Sequence, residues 1–198
     1  MQKSVIKVGP TDHGRRMSLA DFEHAEVVEE HLYELNRGVI EASDVPHRRH
    51  AAQIQAIRIE VIPFMIVNPT TINLFAAGNE CQLLIESVES ERHPDLTMYL
   101  KAAPNVSNYW RVWIPEIVIE VVSKSSEHRD YVEKREEYKK LGVTEYWIVD
   151  SFKRQMLALT RSTGDWSEQI VRPPALYSTP LLPGFEFSVE KVFAAADA

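Results

Sequence analysis

Between Ile117 and Val122 the chain runs apolar, and the run is broken once, by Glu120. No other position constrains the fold as strongly. A short β-branched run of this kind reads as a strand buried on both faces. A lone carboxylate there costs on the order of several kcal/mol unless a cation, a donor or a proton compensates it. Glu120 therefore requires a partner from elsewhere in the chain.

The segment C-terminal to the run supplies one. Ser123, Ser125 and Ser126 are candidate caps, and Gly142 after Leu141 is a stop signal, so the spacing predicts a helix from about Glu127. On that helix Glu127, Tyr131, Lys134, Tyr138 and Leu141 share one face, while Arg135, Glu136, Lys139 and Lys140 fall mainly elsewhere. Tyr146 to Val149 reads as the next strand. The unit is strand, helix, strand, with an acid in the first strand and Lys134 on the helix face that packs against the sheet.

The remaining chain sorts around this unit. Residues 1–17 show no periodicity and read as a flexible leader, with residues 18–198 as one domain. Behind a Ser18 cap, Leu19, Phe22, Val27 and Leu32 suggest a short acidic helix over 19–32. Tyr33–Leu35 and Val39–Glu41 flank Asn36-Arg37-Gly38, a hairpin signal. Ala51, Ile54, Ile57 and Val61 predict a helix over 47–61, with Pro63 and Pro69 as boundaries. Strands are expected at 72–75 and 82–88, joined through Gly78-Asn79, and at 96–100, opened by Asp95. Met156–Thr160 and Trp166–Val171 form a second hairpin, and a last short helix lies around Val189–Phe193.

Composition narrows the function classes. The formal charge of −7 opposes a basic nucleic-acid coat, although carboxylates awaiting a cation make a chain look more acidic than its working site. One cysteine, Cys81, excludes an internal disulfide framework and suits a reducing cytoplasm. No run is long enough to span a membrane, and no signal-peptide pattern opens the chain, so a cytoplasmic protein without membrane partners is expected.

Asp95 and Glu120 each sit in or at the mouth of a β-rich segment. If those strands pair, both carboxylates project from one face, where they repel unless they share a proton or a cation. A hard divalent ion such as Mg²⁺ takes oxygen ligands and keeps several waters, so two acids and a backbone carbonyl suffice. A lysine beside it can polarise water or stabilise charge developing on phosphorus. The bland alternative is an i,i+4 pair of Asp130 with Lys134, or a snorkelling lysine.

These residues resemble the Uma family of restriction-endonuclease-like proteins, within the PD-(D/E)XK nuclease superfamily. The resemblance is carried by Tyr33-Glu34-Leu35 with Gly38, Pro46 with His50 and Ile54, Pro94-Asp95, and Pro115 to Ser123. It continues through Arg129-Asp130 with Lys134 and Tyr138, Gly142-Val143, Glu145 to Asp150, and Leu182-Pro183-Gly184 with Phe193, spanning roughly 19–193.

The resemblance implies an α/β (α+β) fold with a restriction-endonuclease-like core, a mixed central β-sheet flanked by helices, and added N-terminal and C-terminal β-hairpins. Asp95 and Glu120 become the motif's two acids, holding Mg²⁺ or Mn²⁺ with the Val121 backbone carbonyl. The superfamily pattern expects lysine two residues after the second acid, where this chain has Val122. Lys134, reaching in from the helix, takes that role, with Lys124 as its substitute. Glu34 is a further candidate acid or a structural hairpin glutamate; His50 reads as a cap or packing residue, and Asp150 as a bond to loop amides. The expected activity is Mg²⁺-dependent endonucleolytic hydrolysis of DNA by a homodimer. A catalytically inactive nuclease-fold module for nucleic-acid or protein interaction is the alternative.

Overall fold

The computed structural model describes residues 5–29, 31–44 and 47–198. The chain opens with β1 (Lys7–Val8), α1 (Leu19–Phe22), β2 (Glu26–Val27), and the hairpin of β3 (His31–Asn36) and β4 (Val39–Asp44). Helix α2 (Arg48–Val67) leads to β5 (Leu74–Ala76), β6 (Leu83–Ile85), β7 (Ser90–Arg92) and β8 (Leu96–Tyr99). After a long loop come β9 (Ile117–Val121), α3 (Lys134–Leu141), β10 (Glu145–Asp150), β11 (Gln155–Arg161) and β12 (Trp166–Val171). The chain closes with β13 (Leu176–Tyr177), β14 (Phe187–Ser188) and α4 (Val189–Asp197).

The central sheet is six-stranded, in the order β12-β11-β10-β9-β8-β5. It is mixed: β9 and β10, joined by the crossover through α3, are parallel, and β8 runs antiparallel to β9. The period-two alternation of β9 decides what each face carries. Ile117, Ile119 and Val121 enter the apolar core formed with Ile57 and Val61 of α2 and Val192 and Phe193 of α4. Val118 and Val122 point the other way, into a second core with Tyr138, Val143 and Tyr146. Glu120 shares that second face, beneath α3.

A four-stranded antiparallel sheet, β4-β3-β7-β6, stands beside this one. Its hairpin turns at Arg37 and Gly38, whose φ values of 50° and 73° are the left-handed pair that matches strand twist in a two-residue turn. Tyr33 and Leu35 pack with Phe22 and Leu84, so Glu34 alternates onto the opposite face.

Several sequence expectations change. The acidic helix ends at Phe22 rather than Leu32: Ser18 does cap it, accepting from the Asp21 N–H, but Glu26–Val27 pairs with Lys7–Val8 and Leu32 belongs to β3. Part of the expected leader is tied down, because Val8 is buried and Gly14 and Met17 donate to the Ile40 and Gly38 carbonyls. Pro63 does not end α2. It lies on the exposed side, and the helix continues to Val67 before Asn68 and Pro69. The strands at 74–76 and 83–85 pair with β8 and β7, not with each other. Pro46 falls outside the described residues.

Candidate active site

Strand register brings the two acids together. Leu96 pairs with Ile119, so Asp95, one step earlier, stands across from Glu120. The Asp95 N–H lies 3.4 Å from Glu120 Oε2. Val122 donates to Val149 of β10, which turns the Val121 N–H toward Asp95, and Asp95 Oδ2 accepts it at 2.7 Å. On the other side His50 Nε2 lies 2.9 Å from Asp95 Oδ1. The Nδ1 atom of His50 is buried and has no hydrogen-bond partner among the described residues.

Glu120 finds its partners on α3. Lys134 Nζ donates to Glu120 Oε1 at 2.8 Å, and the Tyr138 hydroxyl donates to the same oxygen at 2.7 Å. Lys134 and Tyr138 are one helical turn apart, so they meet the strand from one face. A π-turn at Arg129–Glu133, continuous with α3, sets that face. Within it the Lys134 N–H bonds to the Arg129 carbonyl, and the Asp130 carbonyl accepts the Tyr146 hydroxyl at 2.9 Å. The turn buries Asp130, whose Oδ1 lies 3.7 Å from Lys134 Nζ and whose Oδ2 accepts the Ser126 hydroxyl at 2.5 Å.

Glu34 completes the acid cluster, 3.9 Å from Lys134 Nζ. Its own oxygens are engaged: Arg92 donates to Oε2 at 3.2 Å and the His93 N–H to Oε1 at 3.1 Å. Arg92 is fully buried and also binds Glu137 of α3, with Nε 2.8 Å from Oε2, and Asn36 Oδ1 at 2.7 Å. Through Arg92 the small sheet is latched to α3.

This arrangement holds more acid than Lys134 alone can neutralise. Burial pushes the Glu120 carboxyl up to about 8; Lys134 opposes the shift, while Asp95, Asp130 and Glu34 reinforce it. Asp130 also rises, because burial outweighs Lys134 and Ser126. Burial disfavours the Lys134 ammonium, but Glu120, Glu34 and Asp130 outweigh it and keep it charged. Burial likewise opposes the charge of Glu34, and there Lys134, Arg92 and Arg129 win, holding it at about 2. His50 rises because the Asp95 bond and charge exceed the cost of burial.

The acids face a cavity of about 730 Å³ lined by Glu34, His50, Asp95, Glu120, Asp130 and Lys134, with Arg49, Lys124 and Arg129 among its basic residues. Lys124 is exposed in the turn after β9, whereas Lys134 is buried against Glu120. Among the described residues no group of three or more His, Cys, Asp or Glu side chains is placed to hold a metal ion. A hard divalent cation nevertheless fits the donor chemistry. Asp95 and Glu120 offer adjacent carboxylates at a wall of the cavity, and such ions complete their shell with water and carbonyl oxygen. Glu120's raised proton affinity is what a carboxylate lacking sufficient nearby positive charge displays.

The sequence singled out Asp95, Glu120 and Lys134, and the fold brings Lys134 onto Glu120 and Asp95 beside it. Tyr138 was placed on the right helix face without a role. The contact of His50 with Asp95 was missed, and so was Arg92. His50's only signal was a histidine on the helix preceding Asp95 by 45 positions. Asp150 behaves as expected, its Oδ1 accepting the N–H groups of Phe152 and Lys153 at 2.9 Å.

Residues 19–190 match the family model described as Uma2, putative restriction endonuclease. Among solved structures, the chain is similar to one described as a putative nuclease belonging to DUF820 from Anabaena variabilis ATCC 29413. The TM-score is 0.70 at 16% identity, over 91% of this chain and 99% of that one, a likeness of fold. No curated protein matches the sequence. Among the described residues, no helix is long and apolar enough to cross a membrane.

Proposed function

The chain belongs to the Uma2 family of putative restriction endonucleases, and from that membership we propose that it is a Mg²⁺- or Mn²⁺-dependent nuclease hydrolysing phosphodiester bonds in DNA. The observation that carries this reading is the pairing of Asp95 with Glu120 at one wall of a cavity, with Lys134 Nζ 2.8 Å from the second acid.

Asp95 and Glu120, with the Val121 carbonyl, hold the cation, which supplies the charge that offsets negative charge gathering on the phosphoryl oxygens. The chain's own residues prepare the site. His50 and the Val121 N–H hold Asp95 from two sides, and Tyr138 orients Glu120. Lys134 keeps its proton and places a fixed positive charge where phosphate enters. Glu34 serves as a charge partner to Lys134 and Arg92, not as a ligand, because its oxygens are already taken. Lys124 meets backbone phosphate from the exposed turn.

A second reading, a nuclease fold kept as an interaction module without turnover, is favoured by one observation. Glu120 Oε1 already holds both Lys134 and Tyr138, a pairing complete in itself. Incubating the full chain with plasmid DNA and Mg²⁺ or Mn²⁺ separates the two. The nuclease reading expects nicked and linear products from wild type, and loss of on the order of 100-fold or more in rate for Asp95→Ala and Glu120→Ala. Identical behaviour of all three proteins defeats it. Calorimetric Mn²⁺ binding that Asp95→Asn abolishes supports the site even where the cognate DNA is missing, and no such binding leaves the module.

A further inference from the structure

Helix α2 is apolar on two sides. Its inner side, Ile57 and Val61, is buried in the main core. Its outer side carries Ile59, Ile62, Ile66 and Val67, which are 58%, 45%, 73% and 78% exposed. With Ala51, Gln55 and Pro63, all exposed, these positions repeat at helical spacing and form one continuous stripe. From Ala51 to Val67 the stripe is about 24 Å long. A helix apolar all round belongs in an interior, and an exposed apolar stripe rimmed by polar residues marks a contact surface.

We infer that this stripe is the interface with a second copy of the chain, formed by antiparallel packing of two α2 helices across a two-fold axis. The stripe is its own complement. Ile59 and Ile66 stand at equal distances on either side of the Ile62–Pro63 step, so reversing the helix superimposes isoleucine on isoleucine. An isologous contact requires this property: Ile59 meets Ile66 of the second copy, and the Ile62–Pro63 steps meet at the axis.

Charge points to the same occupant. The charged neighbours of the stripe are engaged within the chain, Arg58 with Glu80 at 3.5 Å and Glu60 with Lys191 at 2.7 Å. Between Ile59 and Val67, where the stripe is most apolar, the face offers no cation to a nucleic acid or an anionic membrane. Size sets the strength: a face about 24 Å long and about 10 Å wide falls short of the ~800 Å² per partner of a standard interface. The dimer is therefore expected to be of micromolar strength, with elements beside α2 joining the contact. This inference stands apart from the nuclease reading, since the stripe includes none of the cavity's acids.

Sedimentation velocity on the full chain at roughly 10 to 200 µM brackets such a dissociation constant. Wild type should shift from monomer to dimer across the range, and Ile62→Glu and Ile66→Glu should weaken association at least about tenfold. Both positions are exposed, so an unchanged melting temperature shows that the fold is kept. Mild oxidation adds a geometric check. Ile62→Cys should form a disulfide-linked dimer. Ile59→Cys should do so only when mixed with Ile66→Cys. Native Cys81 does not compete, being buried with its thiol pushed up to about 11 by that burial. A wild type monomeric throughout the range overturns the inference and leaves the stripe to a different partner. A dimer indifferent to both glutamate substitutions overturns it too, by moving the contact to another face.

Discussion

Lys134 Nζ lies 2.8 Å from Glu120 Oε1, joining a helix to the strand it crosses over, with both residues buried. The strand's acid would be intolerable without this ammonium, and the ammonium without the acids around it. Removing one member of such a pair leaves the other uncompensated, which typically costs about 3–5 kcal/mol. Lys134→Met should therefore lower the urea unfolding free energy by about 3 kcal/mol at pH 8. The loss should be smaller near pH 5, where Glu120 and Asp130 can bind protons. An equal loss at both values would show that the lysine's role is packing.

The same cluster sets a pH dependence. Glu120 rises in the folded state to about 8 from an ordinary value of 4.5, so the folded protein binds the proton more tightly. Stability from protonated Glu120 is fully present below about 4.5 and is lost as pH rises through about 8. Glu34, held at about 2, works in the opposite sense: its contribution is present above about 4.5 and lost as pH falls toward 2. In Glu120→Gln the decline between pH 4.5 and 8 should flatten while the acid-side loss remains. Denaturant midpoints measured across pH provide the check, and an unchanged slope would assign it to other groups.

Arg92 tests the latch between the sheets. It has no exposed surface, and its Nε lies 2.8 Å from Glu137 Oε2. Arg92→Ala strands Glu34 and Glu137 in the interior, and a loss of about 3–5 kcal/mol is expected. The double variant Arg92→Met with Glu137→Leu should recover part of it, because two apolar groups leave no charge stranded. A double variant as unstable as the sum of its singles would argue against direct coupling.

Cation binding can be read without turnover. Anything that binds only the folded state stabilises it, by about 2.7 kcal/mol at a hundredfold excess over the dissociation constant. Mn²⁺ should raise the melting temperature of wild type and leave Asp95→Asn unmoved. His50→Gln, which keeps a side-chain amide near Asp95, should lie between them. A uniform shift in all three proteins would place the bound ion elsewhere.

Much of the central unit was legible because its signals are local. The β-branched run, the Gly142 stop and the Arg37-Gly38 turn each act within a few residues, and each formed where the pattern put it. The acidic stretch after Ser18 misled for the same reason. Its spacing suited a helix, but residues 26–27 pair with Lys7–Val8. Pro63 also misled, since a proline near the end of a helix costs less where a long apolar inner face holds the helix in place. The π-turn left no sequence mark, because it is stabilised by contacts from outside, among them Tyr146 on the Asp130 carbonyl.

By itself, then, the sequence determined a strand with a costly acid, a helix turning a lysine inward, and the need for a compensating partner, because periodicity, capping and burial cost are written in neighbouring residues. Tertiary structure alone decided which groups meet. The β8–β9 register set Asp95 across from Glu120, α2 delivered His50 to Asp95, and the small sheet brought Glu34 and Arg92 against α3. The physical reason is that charge compensation acts over a few ångströms in space and is indifferent to distance along the chain.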